Sequence, residues 1–176
     1  VDYSWDGDTV LVHPGVYNEG FYFDGDGDNH IDHSFVIGSL YLTTGDTSYI
    51  SSTIINDDSQ PSDVGISCGY STCNEAPIVI VNGQSPLKEV NGFTLTGGGT
   101  HGIYIEDVNN IRIMNCNIYN NGDPTSPLSG GLGGGISLNR NSEEEISGAT
   151  LSELNVYDNF ADNGGGIYVG HYDDVS

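Results

Sequence analysis

Residues 163–169 read NGGGIYV, residues 133–138 read GGGISL and residues 101–105 read HGIYI. Glycine followed by a short apolar alternation is thus written three times. Gly102 and Gly135 are 33 residues apart, Gly135 and Gly166 31. Self-similarity at a period of this size is the signature of a repeat architecture. The phrases align Ile103, Ile136 and Ile167, then Ile105, Leu138 and Val169. Alternation along an extended chain sends these inward and Tyr104 outward.

A second register precedes each phrase. VNGFTLTGG (90–98), IMNCNIYNN (113–121) and LSELNVYDN (151–159) superimpose Val90, Ile113 and Leu151, then Phe93, Cys116 and Leu154, then Leu95, Ile118 and Val156. Turn formers follow in parallel: Gly97, Asn120 and Asp158, then Gly98, Asn121 and Asn159. Each unit therefore holds two or three very short strands, with Phe93 and Leu95 inward and Thr94 outward. No segment carries a helical stripe, and 26 glycines weigh against helices. A unit this small cannot bury its own apolar face, but stacked on copies of itself it can. The expected fold is all-β: a right-handed parallel β-helix in which each unit is one coil. Asn and Gly at the corners suit left-handed backbone angles, and glycine before each strand is expected because the chain must turn sharply there.

The amino-terminal part fits the pattern more loosely. A strand is expected over Thr9–Val12, another near Phe21–Phe23, and further short ones in SFVIGS and STIIND. APIVIVNG (76–83) matches the GIYI position of an earlier coil. Residues 1–176 are read as one β-helix domain with longer loops at 58–76 and 122–132. VDYSWDGDTV opens without an initiator methionine or leader, so the chain is expected to be a mature or excised piece of something longer.

Charge excludes several function classes. Twenty-five acidic residues stand against three cations, Lys88, Arg112 and Arg140, for a net charge of −22. Phosphate backbones and anionic membranes need clustered Lys and Arg, so neither nucleic acid nor a membrane surface is an expected partner. No stretch approaches the ~20 apolar residues of a membrane span. Such acidity suits divalent cations or high salt. Cys68 and Cys73, in CGYSTC, form a candidate disulfide, which implies an oxidising compartment; two free thiols are the alternative. Cys116, in RIMNCNIY, is read as a small core residue.

GDTVLVHPGVYNEG, SFVIGSLYLTTGDTSYISSTIIN, NGFTLTGGG and GGGIYV together resemble the right-handed parallel β-helix proteins of the pectin-lyase-like superfamily. More narrowly, they resemble large secreted bacterial surface proteins of the kind often ending in a type IX sorting domain. The resemblance implies an extracellular or cell-surface location. It specifies fold more strongly than activity.

Members of that group usually have a short turn where this chain has FDGDGDNHIDHSF (23–35), so the acidic stretch reads as an inserted loop. With Asp24 as position one, carboxylates of Asp24, Asp26, Asp28 and Asp32 fall at positions one, three, five and nine. His30 offers a backbone carbonyl at seven, and Ile31 is apolar at eight. Calcium needs six to eight oxygens, and alternating Asp on a curled loop can supply them. Asn29 replaces the usual Gly at six, and Phe35 replaces the bidentate Glu at twelve. A calcium site that is weaker or water-completed, or finished by a carboxylate from elsewhere, is expected; a solvated acidic loop is the alternative.

The superfamily includes polysaccharide lyases and hydrolases. Elimination at a uronate needs a base and a cation beside the sugar carboxylate. Lys88 aligns with Ile111, one step out of register with Arg112, and Arg140 lies near Glu143, Glu144 and Glu145, so surface salt bridging is expected of all three. Hydrolysis needs two placed carboxylates, for which Asp158 with Asp162, or Glu106 with Asp107, are nominal pairs only. No catalytic residue is assigned. Tyr119 and Tyr157 are equivalent in adjacent coils, as are Tyr104 and Tyr168 across Ser137. Such tyrosines either stack sugar rings or stabilise the solenoid by stacking on one another. The open ends of a β-helix need covering, by further chain or by strand addition from neighbouring chains. The expected function is an extracellular, calcium-stabilised structural or adhesive surface protein, including a filament subunit assembling end to end. A polysaccharide-active enzyme or carbohydrate-binding module is the alternative.

Overall fold

The computed structural model describes residue 5 and residues 7–24, 35–57, 76–81, 87–122, 133–140 and 148–171. Fifteen short strands wind through these residues in five coils of three. Coil one holds β1 (Thr9–Val12), β2 (Gly15–Tyr17) and β3 (Phe21–Asp24); coil two holds β4 (Phe35–Ser39), β5 (Thr53–Asn56) and β6 (Ile78–Val81). Coil three holds β7 (Leu87–Asn91), β8 (Thr94–Thr96) and β9 (Ile103–Glu106). Coil four holds β10 (Arg112–Met114), β11 (Asn117–Tyr119) and β12 (Ile136–Arg140). Coil five holds β13 (Thr150–Ser152), β14 (Asn155–Tyr157) and β15 (Ile167–His171). Every third strand pairs in parallel with its equivalent, giving three five-stranded sheets ordered β1-β4-β7-β10-β13, β2-β5-β8-β11-β14 and β3-β6-β9-β12-β15. The chain is a right-handed parallel β-helix.

The expected register holds residue for residue. On the third sheet Ile136 lies opposite Ile103 and Ile167, and the row continues back through Ile78 to Phe21. Leu138 lies opposite Ile105 and Val169. The first sheet stacks Val10, Ile37, Val90, Ile113 and Leu151; the second stacks Tyr17, Ile55, Leu95, Ile118 and Val156. Apart from the exposed Ile167 and Val169, these rows, closed at the corners by Phe93, Cys116, Val108 and Ile111, form one core. A row shared by five coils buries the apolar face that one coil leaves open.

In coils three to five the corners are left-handed where the chain leaves the first and second sheets. Gly92, Asn115 and Glu153 have φ of 85°, 54° and 52°; Gly97, Asn120 and Asp158 have φ of 76°, 54° and 51°. Glycine and asparagine meet that demand at least cost. The chain bends at the glycines that open each third-sheet strand, as expected, and Gly133 and Gly164 are left-handed with φ of 83° and 64°; the glycines directly before the strands have a second reason. Gly102 and Gly135 are not left-handed. A Cβ on Gly102 would stand 2.7 Å from Gly135 O, and one on Gly135 would strike Gly166 O and approach Val156 Cγ1 to 2.7 Å. Glycine is required because the coils approach too closely for a side chain.

One residue beyond the left-handed corner, an amide ladder ties coil to coil. Gly98 N–H donates to Asn121 Oδ1 (3.0 Å), and Asn121 N–H donates to Asn159 Oδ1 (3.2 Å). Asn121 Nδ2 donates to Leu95 O, Tyr119 O and Asn159 Oδ1, and Asn159 Nδ2 to Ile118 O. Each amide therefore reaches back to the preceding coil, accepting from its turn and donating to its second strand. Burying a turn's N–H demands such a partner.

Two helical turns, α1 (Tyr41–Thr44) and α2 (Ser48–Ser52), interrupt coil two between its first and second strands. They were not expected, since four- and five-residue helices carry no stripe to read. Thr94 Oγ1, outward as expected, donates to Ile50 O on α2 (2.8 Å), so this outer position is covered. The expected loop bounds 58–76 and 122–132 fall on the second-to-third-sheet connections of coils two and four; 58–75 and 123–132 lie outside the described residues.

Candidate functional site

Two outer faces bring functional side chains together. On the second sheet, Tyr119 and Tyr157 are register partners whose rings stack, centroids 5.0 Å apart and planes 16° from parallel. Beside them Asn155 Nδ2 donates to Asn117 Oδ1 (2.8 Å), and Asn117 Nδ2 approaches Thr94 Oγ1 (3.4 Å). Alternation on β11 and β14 puts these amides and phenols on one side and Ile118 and Val156 on the other. The result is a strip of phenol and amide, half-buried at Asn117 and Tyr119 and exposed at Asn155 and Tyr157, the latter 48% exposed. Each stacked ring shields one face of the other and leaves edges, hydroxyls and the outer Tyr157 face to solvent. The sequence paired the tyrosines; it gave no notice of the amide rung.

On the third sheet Tyr104 and Tyr168 are equivalent across Ser137, as expected, and do not meet. Tyr104 and Tyr168 both align with Ser137, two strand spacings or about 9.5 Å apart. Tyr104 is outward but only 2% exposed, within a satellite cluster with Ala76, Val79 and Val81. Its hydroxyl donates to Glu106 Oε2. The Tyr168 ring lies over Gly170 of its own strand. Around Tyr104 sit polar groups unusual in being buried outside the solenoid: His101, Ser137 and Asn139. His101 Nδ1 lies 3.0 Å from Gly133 O, and its ring is 5.2 Å from that of Tyr104. The Nδ1–H tautomer donates in that bond, and burial lowers the His101 pKa, against an upward pull from Gly133. Asn139 Nδ2 donates to Ser137 Oγ (2.7 Å), while Asn139 Oδ1 and Thr100 Oγ1 are buried and unpartnered among the described residues. His101 was missed from sequence because HGIYI presents it as one more corner residue.

The cations and nominal acid pairs fall as follows. Arg112 Nη1 pairs with Glu89 Oε2 (3.2 Å), its direct register partner, and Nη2 approaches Met114 Sδ (3.2 Å). Glu89 also accepts from Asn91 Nδ2 (2.7 Å). Lys88 is half-buried on β7, one residue from that pair, and Arg140 ends β12 opposite His171. Glu106 accepts from Tyr104, while Asp107 and Asp158 are left-handed corners; Asp162 is exposed. Glu143, Glu144 and Glu145 lie outside the described residues, as do Cys68 and Cys73. Cys116 is a buried thiol whose pKa burial pushes up to about 11.

Of the expected calcium ligands, Asp24 closes β3, and Asp26, Asp28, His30 and Asp32 lie outside the described residues. The residues flanking the loop are placed: Phe23 and Phe35 meet in the core, ring centroids 5.7 Å apart. Phe35, at loop position twelve, is therefore committed to the core. Among the described residues no three His, Cys, Asp or Glu converge to hold a metal ion, and no helix is long and apolar enough to cross a membrane. No family model, curated protein or solved structure matches the chain.

Proposed function

We propose that this β-helix is an extracellular, calcium-stabilised structural or adhesive element of a cell surface, a rigid stack on which further structure is mounted. One observation carries the reading. The inward rows stack in register from coil to coil, with Ile78, Ile103 and Ile136 each 0% exposed, and form one continuous core. A core shared by successive coils suits a rigid structural element. The resemblance to secreted bacterial surface proteins, the acidic loop and the net charge of −22 support the location and the calcium requirement. A screen on uronate and sulfated polysaccharides, with and without calcium, tests the reading. It expects neither unsaturated products nor new reducing ends; turnover of any polymer overturns it.

A carbohydrate-binding reading is favoured by the Tyr119–Tyr157 stack beside the Asn117–Asn155 rung, since aromatic faces with adjacent amides suit sugar rings. Tyr157→Ala would abolish retention on a polysaccharide column if this strip is the binding face.

A further inference from the structure

We infer that the outer face of the second sheet takes one class of ligand, an uncharged polysaccharide chain, and excludes uronate and sulfated chains; this rests on the carbohydrate-binding reading given above. The first observation is the distribution of charge. Twenty-five acidic residues and three cations are spread along the 176 residues, yet no strand of the second sheet carries a charged residue. Its strands read GVY, TIIN, TLT, NIY and NVY. The other two sheets do carry charge on their outer faces, Glu89 and Arg112 on the first and Glu106 on the third. On the neutral side a ligand without charge can lie down without desolvating a carboxylate beneath it.

The second observation is the relief of this face. Alternation turns Ile55, Leu95 and Ile118 inward, and Asn56, Thr96 and Tyr119 outward in one row. Tyr119 stacks on Tyr157 with planes 16° from parallel, so its other face looks back along the row toward Thr96. Threonine is short and tyrosine long, so the row steps up from Thr96 to Tyr119. Beside Thr96, α2 stands over the neighbouring row, where Thr94 Oγ1 donates to Ile50 O. Thr96 therefore lies in a recess, with a helical turn along one side and an aromatic face at one end. A pyranose ring set there would lay its C–H face against the Tyr119 ring and turn hydroxyls to Thr96 and Asn56. The floor runs on to Asn18, whose Oδ1 lies 3.5 Å from Asn56 Nδ2. From Tyr119 to Asn18 is three strand spacings, about 14 Å, so linked sugars rather than a single one fit along it.

The third observation is the state of the amides. Asn117 gives one N–H to Thr94 Oγ1, accepts one bond from Asn155 Nδ2, and retains one N–H and one lone pair. The rung fixes the amide planes before a ligand arrives, so binding orders little that was free. Glu19, Asp57 and Asp158 rim the strip where the chain leaves it. A uronate or sulfate would meet those carboxylates with no cation to receive it. Arg112 is paired with Glu89 on the first sheet, Lys88 lies on the first sheet too, and Arg140 on the third.

Affinity electrophoresis of the whole chain, with calcium present, tests the inference. Each gel holds one polymer: neutral hydroxyethylcellulose, xyloglucan or galactomannan, anionic pectate or alginate, or cationic glycol chitosan. The parent is compared with Tyr119→Ala and Thr96→Glu, and with Thr150→Glu, which sets the same charge on an exposed position of the first sheet. Melting temperatures establish that the variants fold, and Thr96→Glu, which leaves the aromatic row intact, decides if Tyr119→Ala does not. At least one neutral polymer is expected to retard the parent. Its dissociation constant should rise about tenfold or more in Tyr119→Ala and Thr96→Glu and stay unchanged in Thr150→Glu. Retardation confined to charged polymers, and weakened by the strip variants, overturns the neutral class while leaving carbohydrate binding at this face. Retardation that neither strip variant weakens overturns the face itself. Free migration in every gel overturns both.

Discussion

Phe23 and Phe35 touch in the core, ring centroids 5.7 Å apart, and between them in sequence lies the whole acidic loop. The loop's two ends are thus held together by aromatic packing on adjacent coils. An ion gathering the loop's carboxylates would therefore add to the stability of the stack itself.

Calcium and charge removal should act with opposite signs at this loop. Without calcium, Asp26→Asn and Asp28→Asn reduce carboxylate repulsion, so the melting temperature should rise slightly. At millimolar calcium the parent chain should gain stability and the variants should not. Scanning calorimetry of both proteins in chelator and in calcium checks the crossover. A parent chain indifferent to calcium would remove the ion from the proposal.

The isoleucine row predicts a gradient of cost along one chemistry. Ile136→Ala removes a fully buried side chain between two neighbours and should cost about 3–4 kcal/mol. Ile167→Ala, in the same row one coil on, should cost about 1 kcal/mol, because that side chain is already partly in water. Denaturant unfolding of the two variants measures the difference.

Asn121 is buried and serves turn and strand at once. Asn121→Ala strands Gly98 N–H and Leu95 O and should cost about 3 kcal/mol. Asn159→Ala strands Asn121 N–H and Ile118 O in the same way but should cost less, since Asn159 is only half-buried and water can reach the groups it leaves. Gly135→Ala should be severe, because a Cβ there would strike Gly166 O, and Gly166→Ala mild, because a Cβ there would meet only Val156 Cγ1, at 3.9 Å.

His101 makes stability pH-dependent in a defined direction. Burial lowers its folded pKa below the ordinary 6.5, so the unfolded chain takes up a proton that the folded chain refuses. Its contribution is complete above pH 6.5 and is lost as pH falls from there toward the folded value. His101→Gln should flatten the stability profile in that interval, read as the difference between the two proteins' unfolding midpoints.

Thiol counting tests the proposed bridge. With Cys68 joined to Cys73 and Cys116 buried, the native chain should show no fast thiol near neutral pH. The unfolded, unreduced chain should show one, and the reduced chain three. Two fast thiols in the native chain would mean that the bridge is absent.

The winding was legible because its determinants repeat: Ile103, Ile136 and Ile167 could be superimposed before any coordinate was known, and the register confirms them. Identity of residue did not reveal the reason for it. The glycines of HGIYI and GGGISL read as turn formers, and the chain does bend there, but Gly102 and Gly135 are also required by a carbonyl one coil away, which a linear string does not display. Alternation correctly sent Tyr104 outward and said nothing of its cover, since outward-facing and solvent-exposed coincide only where nothing packs above. Asn121 and Asn159 were legible as corners and not as a ladder, because a hydrogen bond across 38 residues belongs to the stacking.

Because every ladder amide leans on the winding behind it, the molecule carries an arrow along its axis. A chain that emerges amino end first always shows the same growing tip, a template whose vacancies are filled by the next residues to appear. Nothing already folded must reopen to admit the newcomer.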